Sequence, residues 1–156
     1  MESVLPLFTG EGIQDTIENL NKLVIKLLDH GFDTATDVVR AIVGIGMAGI
    51  REKLTGVPHD KLIPRVSDSW AFFFGSVLPY LQGVFEPMNA QHLMLSSKWD
   101  PTVLHQGEAA QQANVHSSAV RDFVLEMYRK EVLLPLLERI ERTFLPPLSL
   151  SLTTLP

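Results

Sequence analysis

The sequence predicts a single all-α domain of four or five helices, with a long polar loop before the last one. Three observations carry this. Apolar residues recur at three- and four-residue steps through four segments, the spacing of one helix face. No strand signal is longer than Leu148 to Leu152. The chain has 156 residues, 46% of them apolar and 20% charged. That suits one domain of roughly 150 residues, which buries about two-thirds of the surface its unfolded chain exposes.

The first helix collects Ile13, Ile17, Leu20, Val24, Leu27 and Leu28 on one face, with Asp15, Glu18, Lys22, Lys26 and Asp29 opposite. Gly31 supplies the left-handed residue that ends it. Thr34, followed three residues later by Asp37, has the form of a capping box and is the expected start of the second helix. Val38, Val39, Ile42, Ile45, Ile50 and Leu54 follow, and Gly56-Val57-Pro58 stops the run. The third helix spans about Lys61 or Pro64 to Phe85. At 100° per residue, Val66, Trp70, Phe73, Phe74, Val77, Leu81 and Val84 form its stripe, and Pro79 is expected to bend it. Phe72 falls on the other side, beside Arg65, Gly75, Ser76, Pro79 and Gly83. The helix is therefore expected to contact neighbours on both sides. A polar stretch from about 96 to 116 reads as a loop or lid with room for a short helical turn in Gly107 to Asn114. The last helix begins near Ser117 or Ser118. It carries Val120, Phe123, Val124 and Met127, is interrupted at Glu131, and resumes in a new phase at Leu133, Leu134, Leu137 and Ile140. Pro135 accounts for the change by kinking the axis. The expected organisation is a helical domain over 1–145 and a Pro-containing tail over 146–156.

Composition excludes several function classes. A net charge of -5 runs against nucleic-acid binding, which needs a basic face to displace counterions from phosphates. With no cysteine, disulfides, thiolate zinc sites, iron–sulfur clusters and cysteine nucleophiles are all excluded. The first ten residues carry Glu2 and no Lys or Arg, unlike a signal-peptide start. The most apolar stretches, Ala41 to Ile50 and Trp70 to Phe85, are short of or interrupted within the ~20 residues of a membrane span, so direct insertion is not expected.

Gly44-Ile45-Gly46-Met47-Ala48-Gly49 matches the dinucleotide-binding G-x-G-x-x-G pattern letter for letter, with Asp68 near the offset of its ribose-binding acid. The pattern has that meaning only between a strand and a helix. Inside a helical stretch, small residues that admit close packing are the better reading. The five histidines, at 30, 59, 92, 105 and 116, have no metal-ligand spacing and read as solvated. No metal or cofactor, small-molecule substrate or catalytic residue is therefore expected. Arg121, Arg129, Lys130, Arg139 and Arg142 bias the last helix, but Asp122, Glu126, Glu131, Glu138 and Glu141 dilute them, so a solvated face is expected.

Trp70-Ala71-Phe72-Phe73-Phe74 is the most unusual cluster. Core packing accounts for Trp70, Phe73 and Phe74. Phe72 is the candidate anchor for a partner, since aromatics are favoured at interfaces, though an intramolecular helix explains it as well as an external one. Arg65 and Tyr80 complete the candidate partner-binding set.

Three segments resemble the HbrB-like family: Leu5 to Gly12 continuing through Ile17 to Asn21; Trp70 to Leu81 ending at Phe85-Glu86-Pro87-Met88; and Val120 to Phe123 with Val132 to Arg139. Members usually carry Phe-Arg-Asp shortly before the Leu-Pro-Leu element, where this chain has Met127-Tyr128-Arg129-Lys130. The family comprises fungal hyphal-branching proteins and animal Protor-type proteins. The resemblance implies a non-catalytic accessory subunit of TOR complex 2 that binds its Rictor-type scaffold and, indirectly, the TOR kinase. It also implies a cytoplasmic place, peripheral at the plasma membrane through the complex. Rival readings are a dinucleotide enzyme using Gly44 to Gly49 and a lipid-binding helical domain.

Overall fold

The computed structural model describes residues 2–89 and 119–144. The expected polar loop, the tail with its Leu148 to Leu152 signal, and the start of the last helix at Ser117 or Ser118 lie outside them. A 3-10 segment over Glu2–Thr9 opens the chain. Then come α1 (Ile17–Leu28), α2 (Phe32–Thr55), α3 (His59–Phe72), a π turn (Phe73–Val77) and α4 (Leu78–Val84). Further along the chain are α5 (Ala119–Tyr128), a second π turn (Arg129–Leu133) and α6 (Leu134–Phe144). Among the described residues there is no strand, and the chain forms one helical domain. α3 to α4 and α5 to α6 each run as one long interrupted helix, so the architecture is an up-down-up-down set of four with a short N-terminal lid.

The N-terminal segment was not assigned from sequence. Val4, Leu7 and Phe8 are buried, at the one-sided spacing of a helix turn. Phe8 lies so close to Gly46 that a β-carbon there would stand 2.5 Å from its ring. Gly46 is thus the seat of Phe8.

Thr16 caps α1, its hydroxyl accepting from Asn19 N at 3.3 Å. Gly31 ends α1 as expected, with φ 115° and its N–H on Leu28 O at 3.0 Å. It also begins α2, because its carbonyl accepts from Ala35 N at 3.1 Å. The expected cap at Thr34 is therefore incorrect. The cap is Gly31, three residues earlier, so α2 starts at Phe32 with no side-chain cap bond. A connection of only three residues forces the reversal onto Gly31 and leaves Thr34 inside the first turn. Ala35, Val39, Val43, Met47, Ile50 and Leu54 then bury one face of α2 against the other helices.

The long helices depart most from the straight-helix reading. Up to the start of the first π turn the inward residues are Leu62, Val66, Ser69 and Phe73; from its end they are Val77, Leu78, Leu81 and Val84. Residues one step later, Ile63, Trp70 and Phe74, are 38–44% exposed. A π turn inserts one residue into a helix, so a stripe extrapolated back from Val77 lands one position too far along. Trp70 and Phe74 are consequently not core residues. The last helix repeats the effect: Val124, Tyr128, Val132 and Leu136 are buried, while Leu134 and Leu137 are exposed. Pro79 and Pro135 explain where the turns fall. Each follows a π turn by two residues, and the bond from Leu78 N to Phe73 O and that from Leu134 N to Arg129 O both step five residues. Proline cannot donate to the carbonyl four residues back and crowds it. For Pro135 that carbonyl belongs to Glu131, and Arg51 Nη1 of α2 donates to it at 3.2 Å.

Helix ends are tied by side chains from distant elements. Asn21 Nδ2 donates to Gly83 O at 2.9 Å and Val84 O at 2.8 Å, closing the end of α4. Arg139 of α6, expected on a solvated face, instead caps α2: Nη1 donates to Leu54 O (3.2 Å) and Thr55 O (2.8 Å), and Nη2 to Val57 O. Thr55 O is one of the carbonyls a helix end leaves without an internal donor, while Leu54 O also accepts from Val57 N at 3.3 Å. Buried Asn89 accepts from Val120 N at 3.2 Å, fastening the start of α5 to the residues after α4.

Two measurements check this packing. Gly46→Ala is expected to destabilise the domain by about 1–3 kcal/mol through overpacking against Phe8. Gly49→Ala, with no atom within 4 Å of the new β-carbon, is expected to stabilise it by up to ~1 kcal/mol through helix propensity. Urea denaturation of the two variants reads the opposite signs. In the same assay Arg139→Ala is expected to lose about 2–3 kcal/mol, for charge-assisted bonds to the carbonyls at the end of α2. Arg139→Lys recovers only part of it, because an ammonium cannot match the guanidinium fork.

Candidate interaction surfaces

Where α3 meets α5, Phe73 stacks on Tyr128 with ring centroids 4.2 Å apart. Trp70 meets the same ring edge-on at 5.3 Å and Phe74 at 5.4 Å. The Arg121 guanidinium lies 5.3 Å over the Phe74 ring. The inner pair is buried, while Trp70 and Phe74 form its outer rim. Seven and eleven residues separate Ile63 from Trp70 and Phe74, about two and three helical turns, so the three share one face. Tyr128 was not singled out from sequence as a core residue; its isolation between Met127 and two cations hides it. Burial raises its phenol pKa above the ordinary value, and the hydrogen bond with Ser69, 3.4 Å away, offsets this in part.

Phe72 points the other way. Its ring is 3.9 Å from where a β-carbon on Gly10 would sit, and it remains 36% exposed. The intramolecular neighbour is thus the end of the N-terminal segment, and a third of the ring still faces solvent. Phe72 and Arg65 line one cleft of about 290 Å³, together with Thr9, Ile50, Lys53 and Asp68. Two of the three candidate residues are therefore brought together. Tyr80 is exposed on α4 and does not line this cleft.

A second groove, of about 720 Å³, runs between α2 and α5 past Ala41, Gly44, Ile45, Phe123 and Met127. Arg40 lies over the Phe123 ring at 5.6 Å. The G-x-G-x-x-G run is divided between these neighbours: Gly46 takes Phe8, and a β-carbon on Gly44 would stand 3.6 Å from Met127 Cε. All six residues are in the interior of a 24-residue helix. There the amides bond to helix carbonyls and are turned away from any phosphate.

Several charged residues around this groove are engaged with one another. Glu131 pairs with Arg51 at 3.4 Å, and Glu126 with Arg129 and Lys130 at 3.2 and 3.1 Å. Those last two contacts hold the Glu126 carboxyl below its ordinary pKa, Lys130 contributing most. His30 bonds Lys26 O through Nδ1 at 2.8 Å. His92, His105 and His116 lie outside the described residues. Among the described residues no three His, Asp or Glu gather as metal ligands, and no helix is long and apolar enough to cross a membrane.

These features define a helical-bundle domain with aromatic surface on both sides of its third helix. The chain belongs to the HbrB-like family, whose model matches residues 1–141. It is 27% identical over 144 residues to the Target of rapamycin complex 2 subunit bit61 of Schizosaccharomyces pombe, covering 88% of this chain and 33% of that protein. It is 30% identical over 91 residues to Proline-rich protein 5 of Homo sapiens, covering 56% of this chain and 24% of that one. Against Proline-rich protein 5-like of Rattus norvegicus the identity is 28% over 96 residues, 60% and 26% of the two chains. The chain thus spans a third or less of the length of these relatives. No solved structure matches it.

The raised Tyr128 pKa makes a signed prediction. Folding favours the neutral phenol, so this contribution is present below the ordinary phenol range and is lost as pH rises through the raised value. Between about pH 8 and about pH 11, Tyr128→Phe is expected to lose less stability than the parent chain in chemical denaturation. At about pH 8 the variant should lie within ~1 kcal/mol of it, since only one long hydrogen bond is removed.

Proposed function

We propose that this domain is a non-catalytic accessory subunit of TOR complex 2, docking on the Rictor-type scaffold and supporting TOR kinase signalling. The observation that carries the proposal is family membership over 141 residues combined with similarity to a fission-yeast protein named as a subunit of that complex. The surface agrees with a docking role. Ile63, Trp70, Phe72 and Phe74 are 36–44% exposed along one helix, and aromatics of this kind anchor protein interfaces. Phe72 and Arg65 are the proposed contacts, with Tyr80 beyond the cleft as a further one. The compartment follows the complex: cytoplasmic, and peripheral at the plasma membrane.

The Ile63–Trp70–Phe74 stripe also favours a second reading, a lipid surface. A net charge of -5 weakens it, because anionic leaflets attract clusters of Lys and Arg.

Affinity purification of the tagged chain, read by mass spectrometry, is expected to recover a TOR kinase and its large scaffold. Phe72→Asp should cut that recovery about tenfold or more while the domain stays folded. Phe73→Ala, at a fully buried position, should instead cost about 3–5 kcal/mol of stability. Recovery of no TOR component, with flotation on anionic liposomes in its place, would favour the lipid reading.

A further inference from the structure

We propose that the cleft between the N-terminal segment, α2 and α3 recognises an acidic peptide segment. One carboxylate would sit between Lys53 and Arg65, and an adjacent apolar side chain would lie against Phe72 and Ile50. This deepens the docking reading and rests on it for the protein that carries the segment, though not for the chemistry.

The argument begins with charge. Lys53 makes no hydrogen bond or ion pair among the described residues, and it faces the same cleft as Arg65. Among the described residues the one ionic contact of Arg65 is Asp68, at 3.9 Å, with both side chains about two-thirds or more exposed. Such a pair contributes little and leaves the guanidinium able to turn toward a better acceptor. Two cations against one carboxylate give a locally positive cleft on a chain of net charge -5. The opposite sign therefore selects an anionic guest.

The second part is shape and polarity. Buried Phe8, Ile50 and Leu54 give the cleft an apolar base, and the exposed part of Phe72 forms a wall. The Thr9 hydroxyl already donates to Pro6 O at 2.8 Å, so its remaining capacity is as an acceptor for a peptide N–H. A volume of about 290 Å³ takes one or two side chains, not a large ligand. A membrane is the poorer guest. Leaflet adhesion draws on several Lys or Arg at ~1 kcal/mol each, and a flat surface does not enter a recess between three elements.

The test uses the whole chain and two fluorescent twelve-residue probes, one carrying Asp-Leu-Asp-Phe and the other Lys-Leu-Lys-Phe between Gly-Ser flanks. By fluorescence polarisation the acidic probe is expected to bind at least about tenfold more tightly than the basic one, and more weakly as salt rises. Lys53→Glu and Arg65→Glu should each weaken it about tenfold without moving the melting temperature, because both side chains are exposed. Equal binding of the two probes overturns the proposal, as does acidic binding that neither substitution changes. Phosphatidylserine vesicles that displace the acidic probe and pellet the chain through Lys53 and Arg65 overturn it in favour of a lipid contact. Capture of the TOR complex is scored separately. If the acidic probe binds as described and no TOR kinase is recovered, the cleft chemistry stands and the complex assignment falls. If the kinase is recovered equally well with Lys53→Glu and Arg65→Glu and the probes bind alike, the complex assignment stands and the cleft proposal falls.

Discussion

Two prolines set the geometry of this domain. Pro79 and Pro135 sit inside long helices, each preceded by a leucine and a π turn. A proline withdraws a donor and presses its ring on the preceding turn, and a widened turn relieves both effects. The two turns occur in facing helices, and Phe73 and Tyr128, stacked at 4.2 Å, join them there. The carbonyl left by Pro135 is not orphaned, because Arg51 reaches it from α2. The inward face of both long helices, and with it the identity of the exposed aromatics, follows from this arrangement.

Around that centre the helix ends are secured by side chains from other parts of the chain. Asn21 closes α4, Arg139 closes α2, and Asn89 holds the start of α5. Each bond satisfies a backbone group that a helix cannot satisfy internally, and each also joins two elements. Polar side chains thereby specify the relative positions of helices whose apolar contacts alone are permissive about sliding. With the polar groups engaged in this way, α3 presents surface of two kinds. One side is an aromatic rim over the Phe73–Tyr128 stack, and the other is a small cleft with cations at its edge. A domain that meets partners through packing needs surfaces of these kinds.

Much of this was legible in the residues. The helical class, the break at Gly31, the stop at Gly56 to Pro58 and the packing role of the glycine run all follow from local chemistry and spacing. The family itself was legible in three motif blocks. Other features were hidden because their causes are not local. Thr34 has the chemistry of a cap, but the three-residue connection places the reversal at Gly31. Arg139 looks like one more solvated cation until α2 ends beside it. The lining of the cleft comes from the N-terminal segment and from two consecutive helices, and spacing along the chain pairs only Arg65 and Phe72, which share a helix.

By itself, then, the sequence determined that the chain would be helical, where its two central helices would begin and end to within a few residues, and that aromatic residues rather than reactive ones would dominate the third helix. Tertiary structure alone decided which of two adjacent residues in that helix faces inward. A straight helix buries Trp70 and Phe74; the helix with its π turn buries Ser69 and Phe73 in part or in full and turns Trp70 and Phe74 outward. The physical reason is that one inserted residue rotates everything before it by about 100°. Where that insertion falls depends on a proline and on the partner helix packed against it.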